Sequence, residues 1–238
     1  YRLTGEEAYR QLLIDASDAL LTRFSPAVGL IRPWDNKNGD PNPYRVIIDN
    51  MMNLEMLFTV SKLTGDKRYY DIAVCHADNT LKNHFRPDNS CFHIVCYDAE
   101  TGRVTGQRGG QGYSAASAWS RGQSWALYGF TMCYRETGDP SYLDRAVKCA
   151  EYFINHPRLP EDLVPYWDYD APGIPDEPRD ASAAAITASA LLELAKYAPG
   201  KEKSYYGTAR KILTSLASDR YLIPAGKKCG FLIDHSVG

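Results

Sequence analysis

Apolar residues recur with a helical period in long blocks along this chain, and the blocks are of two kinds. Residues 49–63, 121–136 and 181–197 carry stripes too broad for a helix with a wet face; the first holds Met51, Met52, Leu54, Met56, Leu57, Phe58 and Val60. Stripes that wide predict burial on most sides, and hence an inner row of three helices. The intervening blocks alternate apolar and charged positions, as in Tyr9, Leu12, Leu13, Ala16 and Leu20. They predict an outer row with one face in water.

Glycine punctuates the alternation. Thr4-Gly5-Glu6, Thr64-Gly65-Asp66, Thr137-Gly138-Asp139 and, more loosely, Pro199-Gly200-Lys201 each lead into an outer block, and the last three each follow an inner one. A glycine after an apolar helix ends it in the left-handed conformation. The repeating unit is therefore a helical hairpin with a long return loop. Hairpins of this kind stack into an α/α toroid, expected here as one domain over residues 1–238. Closing such a ring takes about six hairpins, or about 350–400 residues. This chain supplies three and one further outer helix, which reads as part of a longer protein.

Composition narrows the function. With 27 Lys and Arg against 29 Asp and Glu there is no basic stripe to neutralise a phosphate backbone, so nucleic acid is not expected as a partner. No run approaches the about 18 apolar residues of a membrane span. The six cysteines form no Cys-x-x-Cys pair, and Cys75 and Cys149 fall at near-equivalent repeat positions, as buried thiols do. No segment reads as a signal peptide and the first residue is Tyr1, so localisation, cytoplasmic or periplasmic, stays open, as does the oligomeric state.

Site chemistry is expected on the return loops, at one mouth of the scaffold. Residues 91–97 read as a short strand entering a turn at Asp98-Ala99-Glu100-Thr101-Gly102, and residues 157–178 hold Trp167 among six prolines. Asp49 starts the first inner block, where it is either a helix cap or one of a ring of ionisable groups. Arg121 and the pair Arg179-Asp180 occupy the corresponding starts of the next two, which favours the ring and places Asp49, Arg121 and Asp180 on a common cavity. Around Arg121 lie Gln111, Trp119, Gln123 and Trp125. Indole faces stack on sugars, amides bind hydroxyls and a guanidinium clamps a uronate carboxylate, so the cluster suits a carbohydrate. A structural Arg121–Asp180 ion pair is the competing reading. His93, on an otherwise apolar strand, is either a satisfied structural residue or part of this site.

Other signals fail. The glycine-rich run 106–112 lacks the phosphate-loop Lys, and 35–40 resembles a calcium loop but puts Lys37 at a ligand position. The histidines show no zinc spacing, so neither metal nor cofactor is expected.

Ile47-Ile48-Asp49 with Asn53-Leu54, then His93, Gln111-Gly112, Trp119-Ser120-Arg121-Gly122-Gln123-Ser124-Trp125, Tyr166-Trp167-Asp168 and Arg179-Asp180-Ala181-Ser182-Ala183 together resemble the unsaturated glucuronyl hydrolases of glycoside hydrolase family 88. The resemblance covers essentially the whole chain. It implies an α6/α6 barrel, all-α, that removes 4,5-unsaturated glucuronic acid from the non-reducing end of lyase-generated oligosaccharides by hydrating the vinyl ether. Asp49 matches the general acid and base, and His93, Gln111, Trp119, Arg121 and Trp125 match positions near the substrate, with Asp180 expected beside them. Gln123, where related unsaturated rhamnogalacturonyl hydrolases tend to have Asn, favours the glucuronyl group. Three departures stand: a second active-site aspartate is expected before Tyr1, Gly110 replaces a frequent His, and acidic residues near Ala115 and Ala116 are missing. The other readings are another α/α-toroid glycosidase and a non-catalytic carbohydrate-binding toroid.

Overall fold

A computed structural model describes residues 1–35, 44–224 and 226–227. The calcium-like run from residue 36 on, Cys229 and His235 lie outside them.

The helices form the two rows of an α/α toroid. The outer row comprises α1 (Glu7–Leu21), α3 (Lys67–Asn83), α5 (Pro140–Ile154) and α7 (Glu202–Leu216). The inner row comprises α2 (Leu54–Thr64), α4 (Ser120–Thr137) and α6 (Ala181–Leu194), with α4 packed between the other two. Each inner helix packs on the outer helix that follows it. Gly65 and Gly138 sit at φ 77° and 74° just past α2 and α4, closing each helix with a backbone bond to the carbonyl four residues earlier. Asp66 and Asp139 then cap the next helix by accepting the Arg68 and Ser141 amides, so Thr-Gly-Asp is a stop and a start in three residues. The core runs continuously from Leu54, Leu57 and Phe58 through Phe130 and Cys133 to Leu191 and Ile212.

Within this all-α architecture two local features add to what the sequence predicts. The first inner helix does not begin at Asp49: Ile48–Asn53 form a 3₁₀ turn and the α-helix starts only at Leu54. Asp and Asn in this stretch have low helix propensity, and three residues per turn put i and i+3 on one face. Ile48 and Met51 are thereby fully buried, while Met52 is 40% exposed on the face shared with Asp49. The second is a three-stranded antiparallel sheet, in which β4 (Ile94–Tyr97), within the strand expected at 91–97, lies between β3 (Tyr44–Ile47) and β5 (Val104–Arg108). Residues 106–108 of the glycine-rich run belong to strand β5, which is mostly solvent-facing and without alternating hydrophobicity. A two-stranded ribbon, β1 (Phe24–Ser25) and β2 (Leu30–Ile31), lies against α3 through the Ile31 amide, which donates to His76 Nδ1 at 3.0 Å. Among the described residues no helix is long and apolar enough to cross a membrane, and five cysteines are free thiols.

Candidate active site

The sheet aligns the first two site residues. Ile47 pairs with Ile94, and one step further the Ile48 amide donates to the His93 carbonyl at 3.0 Å. Asp49 follows at the end of this ladder, and its Oδ2 lies 3.3 Å from His93 Nε2. Their side chains are 16% and 5% exposed, and the two facing atoms are buried without an aligned hydrogen bond. Asp49 makes no capping bond, so the cap reading of this residue fails. Buried polar atoms left in this state are uncommon and point to function.

The other nitrogen of His93 is engaged. Nδ1 accepts the Gln111 amide at 2.8 Å, with the Gly109 carbonyl at 3.2 Å. The shorter of these two contacts, the Gln111 N–H aimed at Nδ1, calls for a lone pair there and so favours the tautomer with its proton on Nε2, facing Asp49. Gly110 makes this approach possible: at φ +60°, a Cβ on it would stand 2.1 Å from His93 Nδ1. Glycine at this point, noted above as a departure, is the counterpart of where His93 sits. The Gln111 side chain is exposed and its backbone performs the observed contact.

From His93 the contacts continue across the helix starts. Trp119, 4% exposed, packs its ring on His93 with centroids 4.5 Å apart, and the Arg121 guanidinium lies 4.9 Å from the Trp119 ring centre. Arg121 Nη1 donates to Asp180 Oδ2 at 3.0 Å. The ring contacts and polar contacts therefore form one series, Asp49, His93, Trp119, Arg121 and Asp180, across the starts of the three inner helices.

Within this series Asp180 plays a different part from the substrate contact expected of it. It is fully buried, caps α6 by accepting the Ala183 amide at 2.9 Å, and commits its other oxygen to Arg121. Burial raises its pKa above the usual carboxylate value, against the Ala183 amide and Arg121, which lower it. Asp180 holds Arg121 in place. Trp125, one helical turn below Arg121, stacks edge-on to Tyr128 and lines a cavity of about 510 Å³ with Met52, Asn53, Ala185 and Ile186.

Gln123 turns away from all of these: buried, it accepts the Cys91 amide at 2.5 Å and fixes the turn before β4. Two residues to which the sequence assigned no role organise the loop before α4. Arg86 donates to the carbonyls of Ala115 and Ser117, and Asp168 accepts from Tyr113 and Ser117. Only the Tyr-Trp-Asp run hinted at the second. Among the described residues no group of three or more His, Cys, Asp or Glu is arranged to hold a metal.

The sequence model of Glycosyl Hydrolase Family 88 matches residues 1–226. An unsaturated glucuronyl hydrolase of Formosa agariphila is 46% identical over 97% of this chain and 57% of its own length. A solved structure of an unsaturated glucuronyl hydrolase specific for heparin superposes with a TM-score of 0.95 at 42% identity, over 100% of this chain and 63% of the other. A variant of the Streptococcus agalactiae enzyme complexed with dGlcA-GalNAc6S superposes with a TM-score of 0.75 at 32% identity, over 94% of this chain and 54% of the other. The chain thus spans just over half to under two thirds of the length of these relatives.

Proposed function

Because the chain belongs to glycosyl hydrolase family 88, we propose that the natural full-length protein removes 4,5-unsaturated glucuronic acid from the non-reducing end of lyase-generated oligosaccharides. The observation that carries this reading is the buried approach of Asp49 Oδ2 to His93 Nε2, with the far side of the imidazole fixed by Gln111. A carboxyl group held in a pocket, beside an imidazole whose N–H faces it, can give up a proton and take one back.

In this mechanism Asp49 protonates C4 of the unsaturated ring while a water adds its oxygen to C5, and the proton lost by that water returns to Asp49. The C5 hemiketal then opens: the bond from C5 to the ring oxygen breaks, C5 becomes a ketone, and the freed hemiacetal at C1 collapses to an aldehyde and releases the second sugar as an alcohol. One water is consumed. His93 Nε2–H steadies the carboxylate form of Asp49 between the two proton transfers. Arg121, tethered through Nη1, offers its remaining donors to the uronate carboxylate, and Trp119 and Trp125 supply apolar faces for the sugar rings.

The test is spectroscopic. The full-length protein, incubated with unsaturated disaccharides from heparin and from chondroitin, should abolish the ultraviolet absorbance of the conjugated uronate, and should leave a saturated glucuronide intact. Hydrolysis of the saturated compound would replace this reading with an ordinary glycosidase, and binding without turnover would replace it with a carbohydrate-binding toroid.

A further inference from the structure

Asp168 is a fully buried carboxylate whose side chain makes none of the side-chain contacts of the series described above, yet two of its three donors lie on the loop that feeds it. Oδ2 accepts the Tyr113 amide at 2.9 Å and the Ser117 hydroxyl at 2.8 Å, and Oδ1 accepts the Asp170 amide at 2.8 Å. All three donors are neutral. Burying a carboxylate among neutral donors is costly, and a bond to an ionised acceptor is about twice as strong as a neutral one, so the charge gives this loop a firmer hold than an amide would.

What the loop delivers is the Gln111 amide. Tyr113 lies two residues beyond it, and the intervening Gly112 packs so closely that a Cβ there would stand 2.9 Å from Asp168 Oδ2 and 3.1 Å from Trp119 Cβ. The loop is thus clamped at two successive glycines, Gly110 against His93 and Gly112 against Asp168. Asp168 also bridges the backbone of Trp119, whose ring rests on His93.

We propose that Asp168 is a positioning residue for the reaction: its carboxylate fixes the loop so that the Gln111 amide holds His93 in the tautomer whose N–H faces Asp49. This rests on the hydrolase reading only for its kinetic consequence, because the effect on His93 is a property of the protein alone.

The experiment is ¹⁵N NMR of histidine-labelled full-length protein, with His93→Gln assigning the resonance, alongside disaccharide kinetics. Wild type should show His93 with an unprotonated Nδ1. Asp168→Asn should shift that signature towards a tautomeric mixture and lower kcat by about tenfold to a hundredfold, the scale of a misplaced catalytic group, with little change in KM. Gly112→Ala, which crowds the same carboxylate, should do the same and carries the test should Asp168→Asn not fold. Glu151→Gln, which loosens the contacts of α5 with Lys201 and Tyr205, serves as the control for plain destabilisation and should leave the His93 signature unmoved. A folded Asp168→Asn or Gly112→Ala protein with the wild-type signature overturns the inference, as does an equal shift in Glu151→Gln. Should wild type prove inactive on every unsaturated disaccharide, the hydrolase reading falls, and the NMR signature alone still decides for or against Asp168.

Discussion

The inner row carries ionised side chains at two levels, and they are arranged on opposite principles. Towards the C-terminal ends of α4 and α6, Arg135 is surrounded: it donates to Glu193 twice at 3.0 Å, to Glu55 at 2.7 Å and to Glu136 at 2.9 Å. Lys62 also pairs with Glu136, and the Tyr128 hydroxyl donates to Glu55 at 2.5 Å. The cluster ties all three inner helices together. At the other level, among the described residues, Arg121 ion-pairs with Asp180 alone, and Asp49 and His93 face each other without an aligned bond. Saturated contacts lock a scaffold, whereas unspent donors and acceptors, held in place by neighbours, are what a substrate can use.

The sharpest break in this comparison comes from Asp49→Asn. Loss of a general acid and base should lower kcat/KM of the full-length protein by about 10²–10⁴-fold. Because Asp49 caps no helix, the melting temperature should stay close to wild type. Near-normal turnover would move the acid role elsewhere.

Arg135→Met should produce the reverse pattern. It strips hydrogen bonds from three carboxylates at once, and bonds to charged groups are each worth about 1.5–3 kcal/mol. Arg135 is 28% exposed, so water replaces part of the loss, and a net destabilisation of about 1.5–3 kcal/mol in urea titrations is expected. The folded fraction should keep its kcat; a selective loss of kcat without destabilisation would mean that the lower cluster belongs to the site.

A smaller effect, about tenfold in kcat/KM, is expected for Arg121→Lys, equivalent to about 1.4 kcal/mol of transition-state stabilisation. Lys reaches Asp180 but cannot extend a planar fork to a uronate. Unchanged kinetics would reduce Arg121 to a tie between α4 and α6.

The subtlest contrast is in pH dependence. Glu136 has a lowered pKa: burial acts to raise it, but the contacts with Lys62 and Arg135 prevail. A depressed carboxylate adds stability above its unfolded pKa and forfeits it as pH falls through the lower folded value. Asp180, raised chiefly by burial, runs the other way, its contribution present in acid and lost as pH rises through the folded value. Glu136→Gln should therefore flatten the acid limb of a stability–pH curve measured below about pH 4.5, whereas Asp180→Asn, which removes a loss of stability on rising pH, should steepen the climb out of acid. Identical curves for the two variants would erase the distinction between the levels.

Much of the scaffold was legible because each local signal has a local cause. The Thr-Gly-Asp punctuation encodes stop and cap chemistry within a few residues, and the breadth of an apolar stripe reports how many sides of a helix are covered. The starts of the inner apolar blocks also carried Asp49, Arg121 and Asp180 openly. Strand β5 was not legible: its residues lie on an exposed edge and show no alternation, so only pairing with β4 makes it a strand. The 3₁₀ turn was hidden for a related reason, since an apolar run with two asparagines reads as one helix until packing selects the tighter period.

By itself, then, the sequence determined the hairpin repeat, the two rows and the residue types gathered at one mouth, because propensity, capping and periodicity act over a turn or two of chain. Tertiary structure alone decided which of those residues are free to act. It buried Gln123 and Asp180 in structural contacts, set Gly110 under His93, turned the Gln111 amide onto the imidazole, and placed Asp168 behind the loop. Each of these depends on groups between 17 and 59 residues apart coming into close contact, and no periodicity along the chain records that meeting.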